Sequence, residues 1–326
     1  MGEKTSEQFY LPPPKVGKWE SFSTFLWNSE TSQFMGRTGS SWAKILLFYL
    51  IFYAALCGFF AGLLAVFYQT LDKSVPKWQQ GASLIGNNPG LGFRPLPPGD
   101  NVESTLIWYK TSDVKNYESW TNELDVFLEP YHAKTNMEAT GENVVACDYN
   151  LPPGPGKVCQ VDMRKMNACN KENSYNYKKG GPCIFLKLNK IYGWVPEYFN
   201  TSNNLPKNMP EDLKAIVRKN ERKDPTAVPT KSVLELNTVW VSCEGENPAD
   251  VENIGPINYA PKRGFPSYFF PYTNTPGYLS PLVAIMFERP ATGVLINIEC
   301  KAWAANIHHD RSERRGSVHF EIMVDN

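Results

Sequence analysis

The sequence predicts a mainly β protein in which a single N-terminal transmembrane helix precedes an antiparallel β-sandwich with long loops. Three observations lead to this fold class. Residues 45–71 contain no charged side chain and are almost all apolar. Six of the seven cysteines follow this run. Beyond it, segments of alternating apolar and polar residues are separated by turns rich in proline and glycine, which is typical of antiparallel strands.

The apolar run is long enough to cross a hydrocarbon core of about 30 Å with some tilt. A buried helix of a globular domain normally has a polar face, and this run has none. A cleavable signal peptide fits poorly, because the run is too long and begins only at Ile45. We therefore expect four parts, namely a cytoplasmic tail (1–44), a transmembrane helix (45–71), a stalk (72–100) and a disulfide-stapled ectodomain (101–326).

The flanking charges do not decide the orientation of this helix, because Arg37 and Lys44 before it balance Lys73 and Lys77 after it. The cysteines do, since an even set on one side is typical of disulfides in an oxidising compartment. The six are Cys147, Cys159, Cys169, Cys183, Cys243 and Cys300, and the sequence alone leaves their pairing open. The only N-glycosylation sequon begins at Asn200, on the same side. We expect a type II protein with its C-terminal part outside.

Periodicity predicts a few regular elements in the ectodomain. Residues Tyr117–Leu128 can form a helix that stops before Pro130. Residues Pro210–Asn220 can form another, with Leu213, Ile216 and Val217 on one face. Alternation of apolar and polar residues predicts strands over 234–240, 294–300 and 318–324.

The sequence carries no catalytic or cofactor motif. It lacks a glycine-rich phosphate loop, a Gly-x-Ser-x-Gly elbow and a His-Glu-x-x-His helix. Adjacent His308 and His309 would point to opposite faces of a strand, and no Cys-x-x-Cys pair is present, so we expect no metal site. A net charge of zero without a basic stripe argues against nucleic-acid binding. We expect neither an enzyme nor a cofactor.

The transmembrane helix carries two groups of residues that could contact another helix. Tyr49 and Tyr53 recur at helical spacing, and their hydroxyl groups need partners inside a membrane. Gly58 and Gly62 form a Gly-x-x-x-Gly pair, which allows close helix packing. The alternative is that the aromatics face lipid and the glycine spacing is fortuitous. We favour a helix–helix interface.

The tail carries a specific series of aromatic and small residues. These are Phe22, Phe25, Trp27, Gly36, Arg37, Thr38 and Trp42. Aromatic residues are common near lipid headgroups, but residues 19–27 lie too far before the helix for that reason alone. The series resembles the cytoplasmic signature of the β subunits of the Na,K- and H,K-transporting P-type ATPases.

The resemblance covers essentially the whole chain. It includes residues 102–107, 127–131, 183–191 and 298–302. Three departures indicate a divergent, invertebrate member. Met166 replaces a leucine, Asn170-Lys171 replaces a pair of small residues, and residues 269–274 differ from the Tyr-Tyr-Pro-Tyr-Tyr-Gly sequence of the family. The resemblance implies an immunoglobulin-like ectodomain and the disulfides Cys147–Cys159, Cys169–Cys183 and Cys243–Cys300.

The resemblance also implies a function. It suggests a non-catalytic β subunit of a Na,K pump, required for assembly, stability and plasma-membrane delivery of the catalytic α subunit and affecting its extracellular K⁺ affinity. The expected α contacts are Tyr49, Tyr53, Gly58 and Gly62 in the membrane, and Tyr268, Phe269, Phe270, Pro271 and Tyr272 outside it. Expected partners are the α subunit, the lipid bilayer and a small third regulatory subunit.

Two other functions fit part of the sequence. A β subunit of an H,K-ATPase would share the same signature, but that branch is generally heavily glycosylated and this chain has a single sequon. A cell-adhesion or receptor ectodomain would explain the sandwich, the sugar and the anchor. It would not explain the aromatic and Gly-Arg-Thr series on the cytoplasmic side.

Overall fold

The computed structural model describes residues 17–97, 104–133, 143–224, 226, 228–310, 312–313 and 315–326. The chain divides into two compact units, Met1–Asp72 and Lys73–Asn326. Parts of three predicted segments therefore lie outside the described residues. They are residues 1–16 of the tail, residues 98–100 of the stalk, and residues 101–103, 134–142, 225, 227, 311 and 314 of the ectodomain. Residues 102–103 also belong to the family resemblance.

The first unit contains two helices joined by a small sheet. Its elements are α1 (Lys18–Leu26), β1 (Trp27–Asn28), β2 (Gln33–Phe34), β3 (Arg37–Thr38) and α2 (Gly39–Gln69). Helix α2 has 31 residues, and at 1.5 Å per residue it is about 46 Å long. Among the described residues it is the one helix long and apolar enough to cross a membrane. It begins before the predicted span, at Gly39, and ends at Gln69. The next amide, of Thr70, donates a hydrogen bond to the Phe67 carbonyl.

The second unit combines strands and helices. Its strands are β4 (Leu91–Arg94), β5 (Leu106–Lys110), β6 (Val144–Val145), β7 (Val158–Cys159), β8 (Cys183–Leu188), β9 (Thr238–Gly245), β10 (Ile257–Ala260), β11 (Gly264–Pro266), β12 (Leu282–Phe287), β13 (Leu295–Trp303) and β14 (Ser317–Asp325). Its α-helices are α3 (Val114–Ala133), α4 (Glu211–Asn220), α5 (Lys231–Leu234) and α6 (Pro248–Asn253). The ectodomain is therefore a mixed α/β unit, and the description "mainly β" is too simple.

Two sheets of the second unit share one hydrophobic core. The first has the strand order β10-β12-β8-β4, and the second has the order β11-β9-β13-β14-β5. The ring of Phe320 in β14 stacks on Phe93 in β4 with centroids 5.0 Å apart, and it also meets Phe287 in β12 edge-on. Phe287 and Phe320 are completely buried. Alternate side chains of both sheets thus exclude water from the space between them.

Two features of these sheets differ from the prediction. Strand β14 pairs with β5 in parallel, so the second sheet is not purely antiparallel. Strand β4 lies within the predicted stalk, yet Leu91 and Phe93 are buried in the shared core. The alternation in residues 91–94 is too short to stand out in a segment rich in glycine, proline and asparagine.

Helix α3 runs through Pro130 to Ala133, so the predicted stop before that proline is wrong. A proline in a helix loses one backbone hydrogen bond. Here a buried stripe outweighs that cost, because Leu124, Leu128 and Tyr131 all pack into the core. The Tyr131 hydroxyl also donates a hydrogen bond of 3.1 Å to the Ser280 carbonyl.

Of the three strands predicted from alternation, two are confirmed and one is mostly wrong. The strand predicted over 234–240 is mostly wrong, since α5 ends at Leu234 and β9 begins only at Thr238. The Thr238 hydroxyl donates to the Glu235 carbonyl and closes the intervening turn. The strands predicted over 294–300 and 318–324 are confirmed as β13 and β14, with one-residue shifts.

Helix α4 confirms its predicted apolar face. Leu213 and Val217 are buried in a second, smaller core on the opposite face of the second sheet, and Ile216 packs against it. Trp240 of β9 and Trp303 of β13 contribute the sheet side of this core. Strands β9 and β13 are therefore covered on both faces.

The structure contains the three disulfides that the resemblance implies. Cys147–Cys159 and Cys169–Cys183 close short loops, with sequence separations of 12 and 14. Cys243–Cys300 joins directly paired residues of β9 and β13, which are 57 positions apart. Cys57, in α2, is a free cysteine.

A charged cluster joins β14 to the residue that follows β9 and to the residue that precedes β5. When protonated, His319 donates from Nδ1 to Glu246 (2.6 Å) and from Nε2 to Glu321 (2.7 Å). The Thr105 hydroxyl donates to the other oxygen of Glu321 at 2.7 Å. Burial by itself lowers the pKa of His319, but the hydrogen bonds to Glu321 and Glu246 outweigh it and raise that pKa above its usual value.

We expect removal of the long-range disulfide to destabilise the chain more than removal of either short one. In the chain-entropy model, a bridge between residues 57 apart contributes about 4 kcal/mol and a loop of about 15 residues contributes about 3 kcal/mol. Denaturant unfolding of the full chain in detergent would compare the Cys243→Ala/Cys300→Ala and Cys147→Ala/Cys159→Ala variants. Cys57→Ala is the matched control. A larger loss in the Cys147/Cys159 variant would contradict the expectation.

We expect His319→Gln to destabilise the chain at about pH 6 and much less at alkaline pH. A histidine whose folded-state pKa is raised contributes stability that is complete below its unfolded pKa of about 6.5 and is lost as pH rises through the folded pKa. The measurement is the free energy of unfolding of both chains at several pH values. His308→Gln is the control, since both described hydrogen bonds of His308 use its backbone. An equal loss at every pH would refute the charge-based explanation.

Candidate interaction surfaces

The tail signature builds the small sheet of the first unit. Met35 and Gly36 form the two-residue turn between β2 and β3, with φ values of 49° and 73°. Positive φ at both positions is the requirement of a type I′ turn, and glycine meets it without strain. Asn28 accepts hydrogen bonds from the amides of Glu30 and Thr31 and shapes the preceding turn. These residues therefore have a local structural role.

Trp42 connects this sheet to the beginning of α2. Its Nε1 donates to the Phe34 carbonyl at 2.9 Å, and the two rings lie 6.2 Å apart. Arg37 and Thr38 form β3 and lead directly into the helix. Phe22, Phe25 and Trp27 remain exposed. The signature thus combines residues that form the turn and the sheet with aromatics that the described part of the chain does not bury.

The expected contact residues of α2 fall on two sides of the helix. The rings of Tyr49 and Tyr53 stack with centroids 6.0 Å apart and form one ridge. Gly58 lies nine positions after Tyr49, which is two and a half turns, so the glycine pair faces the opposite side. A Cβ added to Gly58 or Gly62 would meet nothing within 4 Å. One partner helix cannot pack on both groups at once.

The expected extracellular contact, residues 268–272, is largely packed within the ectodomain. We call these residues the aromatic loop. Phe269 is 7% exposed, and the Phe270 ring packs edge-on against Trp194 at 5.6 Å. The Tyr268 ring lies 5.3 Å from Tyr149. Only the exposed Pro271 and the outer edges of the half-buried rings reach the surface.

Tyr272 has a separate set of partners. Its ring lies 4.9 Å from Tyr278, and the ammonium group of Lys190 sits over both rings at 5.1 and 5.2 Å. The Tyr272 carbonyl accepts a 2.8 Å hydrogen bond from the Gly193 amide. The loop is therefore preorganised by tilted and edge-on ring contacts, a cation–π contact and backbone pairing.

Burial raises the pKa of one tyrosine of the aromatic loop and of one beside it. It raises the pKa of Tyr268 to about 12, and the nearby carboxylates of Asp148 and Glu235 act in the same direction. Burial likewise raises the pKa of Tyr278. A phenol is neutral at physiological pH in any case, and these shifts extend its neutral, hydrogen-donating form to more alkaline pH.

Sequence reasoning missed a groove beside the aromatic loop. Its volume is about 570 Å³, and its walls are the loop from Tyr149 to Cys159 and the segment from Ser267 to Tyr278. The only sequence signal was the Pro-Pro-Gly-Pro-Gly run at residues 152–156, which indicates a turn but not which residues it faces.

The sequon asparagine is accessible. Asn200 is exposed, while the preceding Phe199 is buried in the smaller core. The Asn200 side-chain amide donates to the Asn237 side-chain oxygen at 3.0 Å. The chain thus presents Asn200 at the surface next to a fixed, buried residue.

The histidine pair has structural contacts. His309 Nε2 lies 2.8 Å from the Ala302 carbonyl, and its ring meets the ring of Trp303 edge-on. The His308 backbone exchanges two hydrogen bonds with the side chain of Asn88. Within the described residues, no group of three His, Cys, Asp or Glu side chains could hold a metal ion.

We expect Phe269→Ala to destabilise the chain by about 3 kcal/mol, since it removes a buried aromatic ring from the main core. Thr273→Ala, at an exposed position of the adjoining segment, should change the free energy of unfolding by less than about 0.5 kcal/mol. Denaturant unfolding of the full chain measures both. Equal effects would show that Phe269 is not held in the core.

Comparison with known proteins gives a consistent result. The family described as "Sodium / potassium ATPase beta chain" matches residues 13–320. Sodium/potassium-transporting ATPase subunit beta-2 of Drosophila melanogaster is 54% identical over 98% of this chain and 96% of its own length. Subunit beta-1 of the same organism is 40% identical over 99% and 98% of the two chains. Human subunit beta-2 is 29% identical over 94% of each.

Proposed function

The chain belongs to the sodium/potassium ATPase β-chain family, and we propose that it assembles with the catalytic α subunit of a sodium/potassium pump, stabilises it and accompanies it to the plasma membrane. It is a non-catalytic accessory subunit. The observation that carries this conclusion is the family match over residues 13–320, together with 54% identity to a Drosophila subunit along nearly the whole chain. The names of the matched relatives favour a Na,K over an H,K pump.

The proposed topology is type II, with residues 1–44 cytoplasmic, α2 in the membrane and the second unit outside. The positions of the three disulfides and of the exposed Asn200 support it, because all of them lie in the second unit. Disulfide formation and N-glycosylation both take place in the secretory pathway. The stalk then ends before Leu91, where β4 begins.

The proposed ectodomain architecture is immunoglobulin-like in the limited sense of two sheets around one core. The shared core of the two sheets supports this description. One difference is clear. Cys243–Cys300 joins neighbouring strands of the same sheet, whereas the bridge of antibody domains joins the two sheets.

Within the membrane, the ridge of Tyr49 and Tyr53 is the proposed main contact with a helix of the α subunit. Its two hydroxyl groups need hydrogen-bond partners that lipid chains cannot supply. Gly58 and Gly62 form a second, separate contact on the opposite side, where a helix of α or a small third subunit can approach closely.

Outside the membrane, the aromatic loop presents a rigid surface to an extracellular loop of the α subunit. Its internal packing supports this role, since a preformed surface loses little conformational entropy on binding. If β binds the cation-occluded and open states of α with different affinity, it shifts the equilibrium between them by that difference. The proposed effect on extracellular K⁺ affinity follows from this coupling.

We expect Tyr49→Ala/Tyr53→Ala to reduce the fraction of α subunit that co-purifies with the chain, and Tyr49→Phe/Tyr53→Phe to shift the K⁺ activation of the assembled pump. The first change removes the ridge, and the second removes only its hydroxyl groups. Co-purification from detergent and K⁺-dependent ATP hydrolysis measure the two effects.

Phe59→Ala is the matched control for this experiment. Phe59 is an exposed aromatic residue of the same helix, and at 100° per residue it lies about 100° from the centre of the tyrosine ridge. If both tyrosine variants assemble and respond to K⁺ like the Phe59 variant, the tyrosine ridge is not the interface.

A further inference from the structure

Helix α1 has one aromatic face that the described part of the chain leaves uncovered. At 100° per residue, Trp19, Phe22 and Phe25 lie within one third of the helix circumference, while Glu20 and Thr24 lie opposite. Trp19 is 83%, Phe22 53% and Phe25 52% exposed. A nine-residue helix with such a face is unstable alone in water, so its apolar side calls for a partner.

The small sheet brings this face close to the start of α2. Extended, residues 27–38 could hold the two helices about 40 Å apart. Instead β1 pairs with β2 and β2 with β3, and the Met35 amide donates to the Leu26 carbonyl at 3.1 Å. With strands about 4.8 Å apart and about 3.3 Å per residue along each strand, the end of α1 lies about 14 Å from the start of α2. The aromatics are thus far from the helix in sequence but near it in space.

Side chains also hold the small sheet to α2. The hydrogen bond and ring contact between Trp42 and Phe34 hold the sheet against the first turns of α2. The start of a membrane-crossing helix lies at the headgroup level, so the sheet and α1 lie at that level too. A short helix with Trp and Phe on one face is favoured at the boundary between headgroups and acyl chains. Its aromatic rings are buried there in the outer part of the acyl region.

We infer that α1 lies in the cytoplasmic leaflet as an interfacial helix, with the face of Trp19, Phe22 and Phe25 in lipid. The partner is the bilayer surface, because this face is continuous with the membrane-crossing helix through a folded connection. Lys18 at the start of α1 and Arg37 in β3 are exposed cations that complement anionic headgroups. The inference rests on the proposed topology, in which α2 crosses the membrane.

The test places a reporter on each face of α1. In a Cys57→Ala chain, Phe22→Cys or Phe25→Cys is labelled with a small environment-sensitive fluorophore, since the other cysteines form disulfides. Thr24→Cys, on the opposite face, is the matched control. The labelled chains are reconstituted with the catalytic partner in vesicles of phosphatidylcholine and phosphatidylserine. Nitroxide groups on the acyl chains, or iodide in the water, serve as quenchers.

We expect acyl-chain nitroxides to quench the labels at positions 22 and 25 several-fold more than the label at position 24, and iodide to show the reverse order. Equal quenching of both faces would overturn the inference. So would a face that is protected from iodide without quenching by lipid nitroxides, because it would indicate a protein partner. Loss of protection after deletion of residues 2–16 would assign the face to those residues and also overturn it.

The native chain, labelled at Cys57 in detergent before reconstitution, separates this inference from the proposed topology. Cys57 lies in the middle of α2, so acyl-chain nitroxides must quench its label if α2 crosses the membrane. Absence of that quenching would refute the topology. Quenching at Cys57 without quenching at positions 22 and 25 would refute only the interfacial position of α1.

Discussion

Backbone N–H and C=O groups that lack hydrogen bonds cost several kcal/mol each in hydrocarbon, and the rest of this chain depends on that constraint. Helix α2 meets it by satisfying its backbone internally over 31 residues, nearly all with apolar side chains. Once that helix crosses a bilayer, the chain has two environments, and each half is stabilised differently. The tail uses tight turns and one tryptophan contact. The ectodomain uses a large core and three disulfides, which only an oxidising compartment preserves.

The aromatic loop shows why residue type alone does not identify a contact surface. Aromatic residues are favoured both in cores and in interfaces. Here Phe269 and Phe270 are held by the ectodomain itself, and that packing determines what Pro271 and the ring edges present outward. A substitution in this loop can therefore reduce assembly in two ways. It can remove the proposed contact with the α subunit, or it can loosen the packing that supports the surface of the loop.

Sequence reasoning succeeded where the pattern is local and failed where distant residues decide. The length of α2 and the alternation in β13 and β14 are visible in short windows. The end of α3 is not, because the burial of Tyr131 and its bond to Ser280 override Pro130. The hydrogen bond between His319 and Glu246 could not be predicted from the sequence either, because the two residues are 73 positions apart. Tyr49 and Gly58 lie on opposite sides of α2, because nine residues make two and a half turns. The sequence prediction nevertheless placed both in one interface.

The place of β14 in the second sheet has a consequence for biosynthesis. It is the last strand in chain order, yet it lies between β13 and β5 and supplies Phe320 to the shared core. Until residue 325 has left the ribosome, β5 has no neighbour in that sheet and β13 has an open edge. Unpaired strand edges are prone to aggregation, and this is one reason why folding chains need chaperones. A chain that lacks β14 therefore exposes unpaired strand edges on both sides of the gap in its second sheet.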